Sequence, residues 1–218
     1  MKNGICYVVG AGINYGLDFC PGAEDLVIAA DAGLCHLEKQ GISADLAIGD
    51  FDSLKSVPKH LHTIILNPEK DDTDMLAALR EGIKAGYENF HIYCGTGGRI
   101  DHTLANIQTL AWLSENGMRG LLFDRDNIIT AITDGELCFE KASDGYLSVF
   151  SHTTKAVGVY LRGLKYELHD AELTNTFPLG TSNEFIGRES SISVREGTLV
   201  VVFPRGVRLF ARASKLHI

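Results

Sequence analysis

The 218-residue chain has no stretch approaching the roughly 18 unbroken apolar residues of a membrane-spanning helix. It opens directly into a strand-like run, Ile5-Cys6-Tyr7-Val8-Val9, with no secretion signal in evidence. The expectation is a cytoplasmic protein with no membrane partner. Basic residues are few: 20 Lys and Arg face 28 Asp and Glu, a formal net charge of -8. Without clustered cations no nucleic-acid partner is expected, although metal ions let an acidic protein bind an anionic nucleotide. The five cysteines, Cys6, Cys20, Cys35, Cys94 and Cys138, are odd in number and scattered. They form neither the Cys-x-x-Cys pairs of a zinc site nor a disulfide framework, and read as reduced, mostly buried thiols. His60 and His62 lie two apart, but no neighbouring carboxylate or third histidine completes a ligand set. No G-x-x-x-x-G-K-[ST] occurs, which excludes a P-loop kinase on motif grounds.

What is present is enough apolar sequence, 45% of residues, for one large domain or two small ones. Short runs apolar on successive residues recur at Ile5 to Val9, Leu26 to Ala30, Leu46 to Ile48, Thr63 to Leu66, Phe90 to Tyr93 and Gly120 to Phe123. Such runs suit strands buried on both faces, as in a parallel sheet covered by helices. Between them, Thr73 to Ala85 aligns Met75, Leu76, Leu79 and Ile83 on one side, and Asp101 to Asn116 aligns Leu104, Ile107, Leu110 and Ala111. The alternation predicts a doubly wound α/β domain with a mostly parallel sheet over residues 1–126. From residue 127 to 218 short β-favouring runs are separated by Asp134-Gly135, Asp144-Gly145 and Glu196-Gly197, with no helix of useful length. That half is expected to be an all-β sandwich.

The polar clusters follow the predicted strands. Asp31 follows the second, Asp50 and Asp52 the third, Asp71-Asp72-Thr73-Asp74 the fourth, and the loop Gly95 to His102 the fifth. In a parallel sheet all of these are carboxyl ends, the edge where open α/β folds bind ligands. Asp50 and Asp52, two apart in extended chain, share a face. At about 5 Å and an effective dielectric of about 20 their repulsion is roughly 3 kcal/mol. A hard divalent cation relieves it, whereas for an isolated Asp-x-Asp a solvated turn is the preferred reading. Asp71 and Asp74 open a helix, where they serve either as ligands or as capping residues, with Asp72 or Asp71 as N-cap. Four or five aspartates gathered at one sheet edge favour a metal. The glycine loop adds the opposite character: close-approaching amides, the donor fork of Arg99, and Asp101 as an acceptor for a sugar hydroxyl or base amine. Nucleoside triphosphate with magnesium is the sharper reading, a plain glycine turn the simpler one. Gly10-Ala11-Gly12-Ile13-Asn14-Tyr15-Gly16 is a loose dinucleotide fingerprint, its third glycine one place late, and fits a structural turn as well. With Asp31 it motivates a rival, a nicotinamide-dependent oxidoreductase, that leaves the acidic clusters unexplained. A second rival is a non-catalytic nucleotide sensor that uses the same fold.

The ordered set Ala30-Asp31-Ala32-Gly33, Gly49-Asp50-Phe51-Asp52-Ser53, Asp71-Asp72-Thr73-Asp74 and Gly97-Gly98-Arg99-Ile100-Asp101-His102 resembles the thiamine pyrophosphokinase family. The resemblance continues through Gly163-Leu164-Lys165-Tyr166 and Ser182-Asn183-Glu184. It implies transfer of diphosphate from ATP to thiamine, an N-terminal nucleotide domain, a C-terminal thiamine-binding sandwich, and a homodimer with each thiamine site between one subunit's catalytic domain and the other's sandwich. Carried over by motif, Asp50, Asp52 and Asp74 hold magnesium, and Asp31 and Asp71 complete the acidic site, with Asp71 the choice for proton acceptor. Lys70, Thr73, Gly98, Arg99 and Asp101 address the nucleotide together with Asp31, and Ser182 and Asn183 contact thiamine. Two departures stand out. Lys70 occupies a position where animal members carry glutamine, and the only tryptophan is Trp112, leaving the aromatic partner of thiamine among Tyr166, Phe177 and Phe185.

Overall fold

The structure is a computed structural model that describes residues 2–51, 62–67 and 72–210. Two compact units divide between Arg125 and Asp126. The first contains strands β1 (Cys6–Val9), β2 (Leu26–Ala30), β3 (Leu46–Gly49), β4 (Thr63–Ile65), β5 (Asn89–Tyr93) and β6 (Arg119–Phe123), and helices α1 (Gly33–Lys39), α2 (Asp74–Lys84) and α3 (Ile100–Glu115). The strands run in the order β6-β5-β1-β2-β3-β4, and every adjacent pair is parallel. The chain steps outward from β1 to β4, then returns to place β5 on the opposite flank of β1. That reversal opens a crevice beyond the carboxyl ends of β1 and β5, where ligands of open α/β sheets bind.

Side chains alternate across this sheet, and both faces are covered. Tyr7, Val9, Val27, Ala29 and Ala47 form a core with Leu34 and Leu37 of α1, capped by Leu17 and Phe19 from the irregular segment after β1. On the other face Gly82 of α2 sits against Cys6 and Phe90, too close for any side chain. This contact corrects the expected face of α2. Met75, Ala78, Leu79 and Gly82 are buried while Leu76 and Ile83 are only partly so, because the small residues let the helix approach the sheet. In α3, Leu110 and Ala111 are buried as expected, whereas Leu104 is exposed and the polar Asn106 is buried in its place. The cap of α2 is also corrected. Thr73 is the N-cap, its hydroxyl accepting from Leu76 N at 3.1 Å, and Asp72 instead pairs with Arg80. The seven-residue helix α1 was not apparent from periodicity, being only two turns long.

The second unit is all β among its described residues. One sheet orders β12 (Gly180–Glu184), β9 (Tyr146–Ser151), β14 (Thr198–Pro204) and β7 (Asn127–Thr133). The other orders β11 (Leu168–Thr174), β10 (Lys155–Arg162), β13 (Arg188–Ser193), β8 (Glu136–Ala142) and β15 (Leu209–Phe210), and all pairings are antiparallel. Phe139 of β8 is fully buried and meets Phe203 of β14 edge-on at 5.2 Å, joining the two sheets in one sandwich core. The strands that sequence patterning missed include β11 and β12, polar edge strands whose exposed positions break the apolar alternation.

Candidate functional site

A cavity of about 530 Å³ occupies the crevice at the carboxyl ends of β1, β2, β3 and β5. Its walls bring together residues far apart in sequence: Gly10 to Ile13 after β1, Asp31 after β2, Asp50 after β3, Thr73 and Asp74 at the start of α2, and Gly95 with Gly97 to Arg99 in the loop after β5. The backbone enters the left-handed region at Asp31 (φ 51°), Phe51 (φ 56°) and Cys94 (φ 53°), each within two residues of a strand end. Non-glycine residues pay strain there, and such strain gathers at functional sites. Asp31 is buried, and its N–H donates to Ile48 O at 2.8 Å, fixing the end of β2 against β3.

The glycine turn after β1 is structural. Gly12 N–H donates to Cys94 O at 2.8 Å and Ile13 N–H to Thr96 O at 3.1 Å, so this segment lies along the loop that follows β5. A side chain at Gly12 would strike both Cys94 O and Thr96 O. No helix follows the turn, which removes the geometry a dinucleotide fingerprint needs. His36 of α1 reaches the same turn, with Nε2 3.0 Å from Gly12 O.

The loop after β5 has the form of an anion cradle. Gly97 and Gly98 take φ +75° and +74° in succession, a left-handed backbone that favours glycine and lets a ligand approach the main chain closely. Thr96 is buried and its hydroxyl donates to Asp124 Oδ1 at 2.6 Å. Asn106 donates from Nδ2 to Gly95 O at 2.7 Å. Arg99 forms a two-point pair with Asp101, Nε to Oδ1 at 3.2 Å and Nη2 to Oδ2 at 2.6 Å, on the exposed rim. The hydrogen bond from Arg99 holds the Asp101 carboxyl below its usual range, and the same bond raises Arg99. His102, one residue on, also lines the cavity and was not assigned a role by motif.

Of the sequence-derived acidic residues, the structure brings Asp31, Asp50 and Asp74 to one cavity. Asp52, Lys70 and Asp71 lie outside the described residues. Among the described residues no three His, Cys, Asp or Glu side chains group closely enough to hold a metal ion by themselves. The available donors are nevertheless carboxylate oxygens, the chemistry that a hard cation prefers.

Ser182 and Asn183 belong to the second unit, on edge strand β12. Ser182 is exposed at φ 58°, its N–H donating to Ser148 Oγ at 3.1 Å. Asn183 is 3% exposed and its amide is turned inward. Nδ2 donates to Tyr166 O at 2.6 Å, while Oδ1 accepts from Tyr166 N at 3.0 Å and Glu184 N at 2.9 Å. Beside them Lys165 pairs with Glu184 at 2.7 Å and stands 5.4 Å over the Tyr166 ring. Of the three aromatic candidates, Phe185 is buried against Phe139, whereas Tyr166 and Phe177 are exposed.

Comparison with known proteins bears on both units. The family model "Thiamin pyrophosphokinase, catalytic domain" matches residues 22–122, and "Thiamin pyrophosphokinase, vitamin B1 binding domain" matches residues 136–199. The chain is 32% identical over 187 residues to a protein named thiamine pyrophosphokinase from Bacillus subtilis, covering 81% of this chain and 86% of that one. The crystal structure of thiamine pyrophosphokinase from Bacillus subtilis superposes with a TM-score of 0.82 at 28% identity, covering 93% of this chain and 99% of that chain. The structure of the Geobacillus thermodenitrificans protein of that name gives 0.80 at 26% identity, covering 96% and 99%.

Proposed function

Because the chain belongs to the thiamine pyrophosphokinase family, we propose that Asp50, Asp52 and Asp74 hold a divalent cation, magnesium, against the ATP phosphates in the crevice of the first unit. The family reaction transfers diphosphate from ATP to the hydroxyethyl group of thiamine, giving thiamine diphosphate and AMP. The thiamine oxygen attacks the β-phosphorus, the bond from that phosphorus to the AMP oxygen breaks, and the alcohol proton passes to a carboxylate. The cation supplies neutralisation of the triphosphate charge. This chain's residues then bind and align: Thr73, at the head of α2, and Lys70, Gly98 and Arg99 on the phosphates, Asp31 and Asp101 toward the nucleoside, and Asp71 as proton acceptor.

Thiamine is bound by the second unit, at Ser182 on β12, with the buried Asn183 as a positioning residue behind it. With its amide engaged by the Tyr166 backbone, Asn183 sets Tyr166 beside Ser182, and Tyr166 or Phe177 supplies the ring that stacks on thiamine. The protein works in the cytoplasm as a homodimer, each crevice receiving thiamine on the partner's sandwich.

The observation that carries this assignment is the meeting of Asp31, Asp50 and Asp74 with the Gly97-Gly98 cradle in one cavity. Anionic and anion-binding walls facing one space suit a metal-bound polyphosphate. The test is incubation with ATP, magnesium and thiamine, followed by analysis for AMP and thiamine diphosphate together. ADP as the sole nucleotide product would indicate a different kinase, and binding of both ligands without turnover would indicate a sensor. Asp50→Asn abolishes turnover while leaving the unfolding transition in place; near-normal AMP formation by that variant would refute the metal assignment.

A further inference from the structure

Three consecutive carbonyls of the cradle loop are tied back into the protein. Cys94 O and Thr96 O accept from the backbone N–H groups of Gly12 and Ile13. Between them, Gly95 O accepts at 2.7 Å from Nδ2 of Asn106, a side chain 5% exposed on the second turn of α3. The first two donors belong to the main chain; the third is the one a substitution can remove. In a planar trans peptide C=O and N–H point in opposite directions. Holding the Gly95 carbonyl on α3 therefore fixes the direction of the Thr96 N–H. Among the described residues the N–H groups of Thr96, Gly97 and Gly98 donate to no protein acceptor, and Gly97 and Gly98 line the cavity.

A Cβ at Gly95 would lie 2.7 Å from Leu122 Cδ1 and 3.1 Å from Asn106 Nδ2. Glycine at 95 and the amide at 106 thus fit as a pair. The partner is a carbonyl, so the nitrogen of the Asn106 amide, and not its oxygen, faces the loop.

We propose that Asn106 is the positioning residue of the phosphate cradle: its buried amide fixes the peptide that leads into the loop, so that the N–H groups of Gly97 and Gly98 are presented together to the ATP polyphosphate. The inference rests on the nucleotide assignment above. Asn106→Asp keeps the shape, removes the donor and sets a carboxylate against the Gly95 carbonyl. Asn106→Ser, too short to reach it, is the second variant should the first fail to fold.

Inorganic tripolyphosphate with magnesium, titrated calorimetrically, reads the cradle without the nucleoside. Each variant is expected to weaken tripolyphosphate binding and to raise the KM for ATP about tenfold, the scale of one lost buried hydrogen bond, while the KM for thiamine stays within about twofold. Arg99→Ala serves as the reference for the loop itself. If Arg99→Ala weakens tripolyphosphate and both Asn106 variants bind it as the parent does, the positioning role is wrong and the phosphate site stands. If neither residue matters, the assignment of phosphates to this loop fails as well. An equal rise in both KM values would show a purely structural role for Asn106 and overturn the proposal.

Discussion

His91 on β5 shows how a single half-buried residue couples the fold to pH. Its ring lies edge-on to Tyr7 at 5.5 Å and tilted against Phe123 at 5.2 Å. Burial lowers its pKa from 6.5 to about 4, against the opposing pull of Asp25 and Asp18. The unfolded chain therefore binds the proton more readily. Stability that is complete above pH 6.5 is lost as pH falls toward 4, by about 2 kcal/mol between pH 7 and pH 5. Urea unfolding of the parent and of His91→Gln at these two pH values checks the effect: the pH-dependent difference should largely vanish in the variant. Cys6 is perturbed in the opposite sense, its thiol pushed up to about 12 by burial and then by Asp45, so it is inert packing. The acidic and glycine motifs were legible at this scale because their chemistry is local to a few residues. Asn106 was not, since an asparagine within an apolar helix carries no signal until its carbonyl partner, eleven residues earlier, is seen.

Among the elements, the six parallel strands were read from unbroken apolar runs, which only a sheet covered on both faces requires. The helix faces were read less well. The stripe chosen for α2 favoured Leu76 and Ile83, whereas contact distance to the sheet selects Ala78 and Gly82. Edge strands such as β12 escaped notice because their polar outer positions lack alternation. The N-terminus of α2 combines two duties, since Thr73 caps the helix and lines the cavity. Thr73→Ala is expected to cost about 1 kcal/mol of stability through loss of the cap and to raise the KM for ATP. Thermal unfolding and initial rates measured on the same preparation separate the two effects. Unchanged ATP kinetics beside a lowered Tm would confine Thr73 to capping.

For the molecule as a whole, the two units carry separable tasks in the assignment given above. Tyr166 is 57% exposed on the second unit, so removing its ring leaves the core undisturbed. Tyr166→Ala is expected to raise the KM for thiamine roughly tenfold through loss of base stacking, with ATP binding by calorimetry unchanged. Weakened ATP binding in this variant would contradict the division. The two units divide between Arg125 and Asp126, and in sequence the runs with helices give way to runs with turns near residue 126. That Gly10 to Ile13 and Asn106 would join the aspartates at the crevice was not visible, because parallel strands are joined by long crossovers and their order follows from packing.

The return of β5 to the flank of β1 also bears on how the chain emerges during synthesis. The strands β2, β3 and β4 can be laid down in sequence on one side of β1, but its other edge must wait for residues 89–93. Until then a strand of buried apolar residues, Cys6 to Val9, presents an unpaired edge open to neighbouring chains. Such edges template aggregation. The same reversal that opens the crevice therefore creates an interval of vulnerability on the ribosome, closed only when the strand bearing the cradle loop docks.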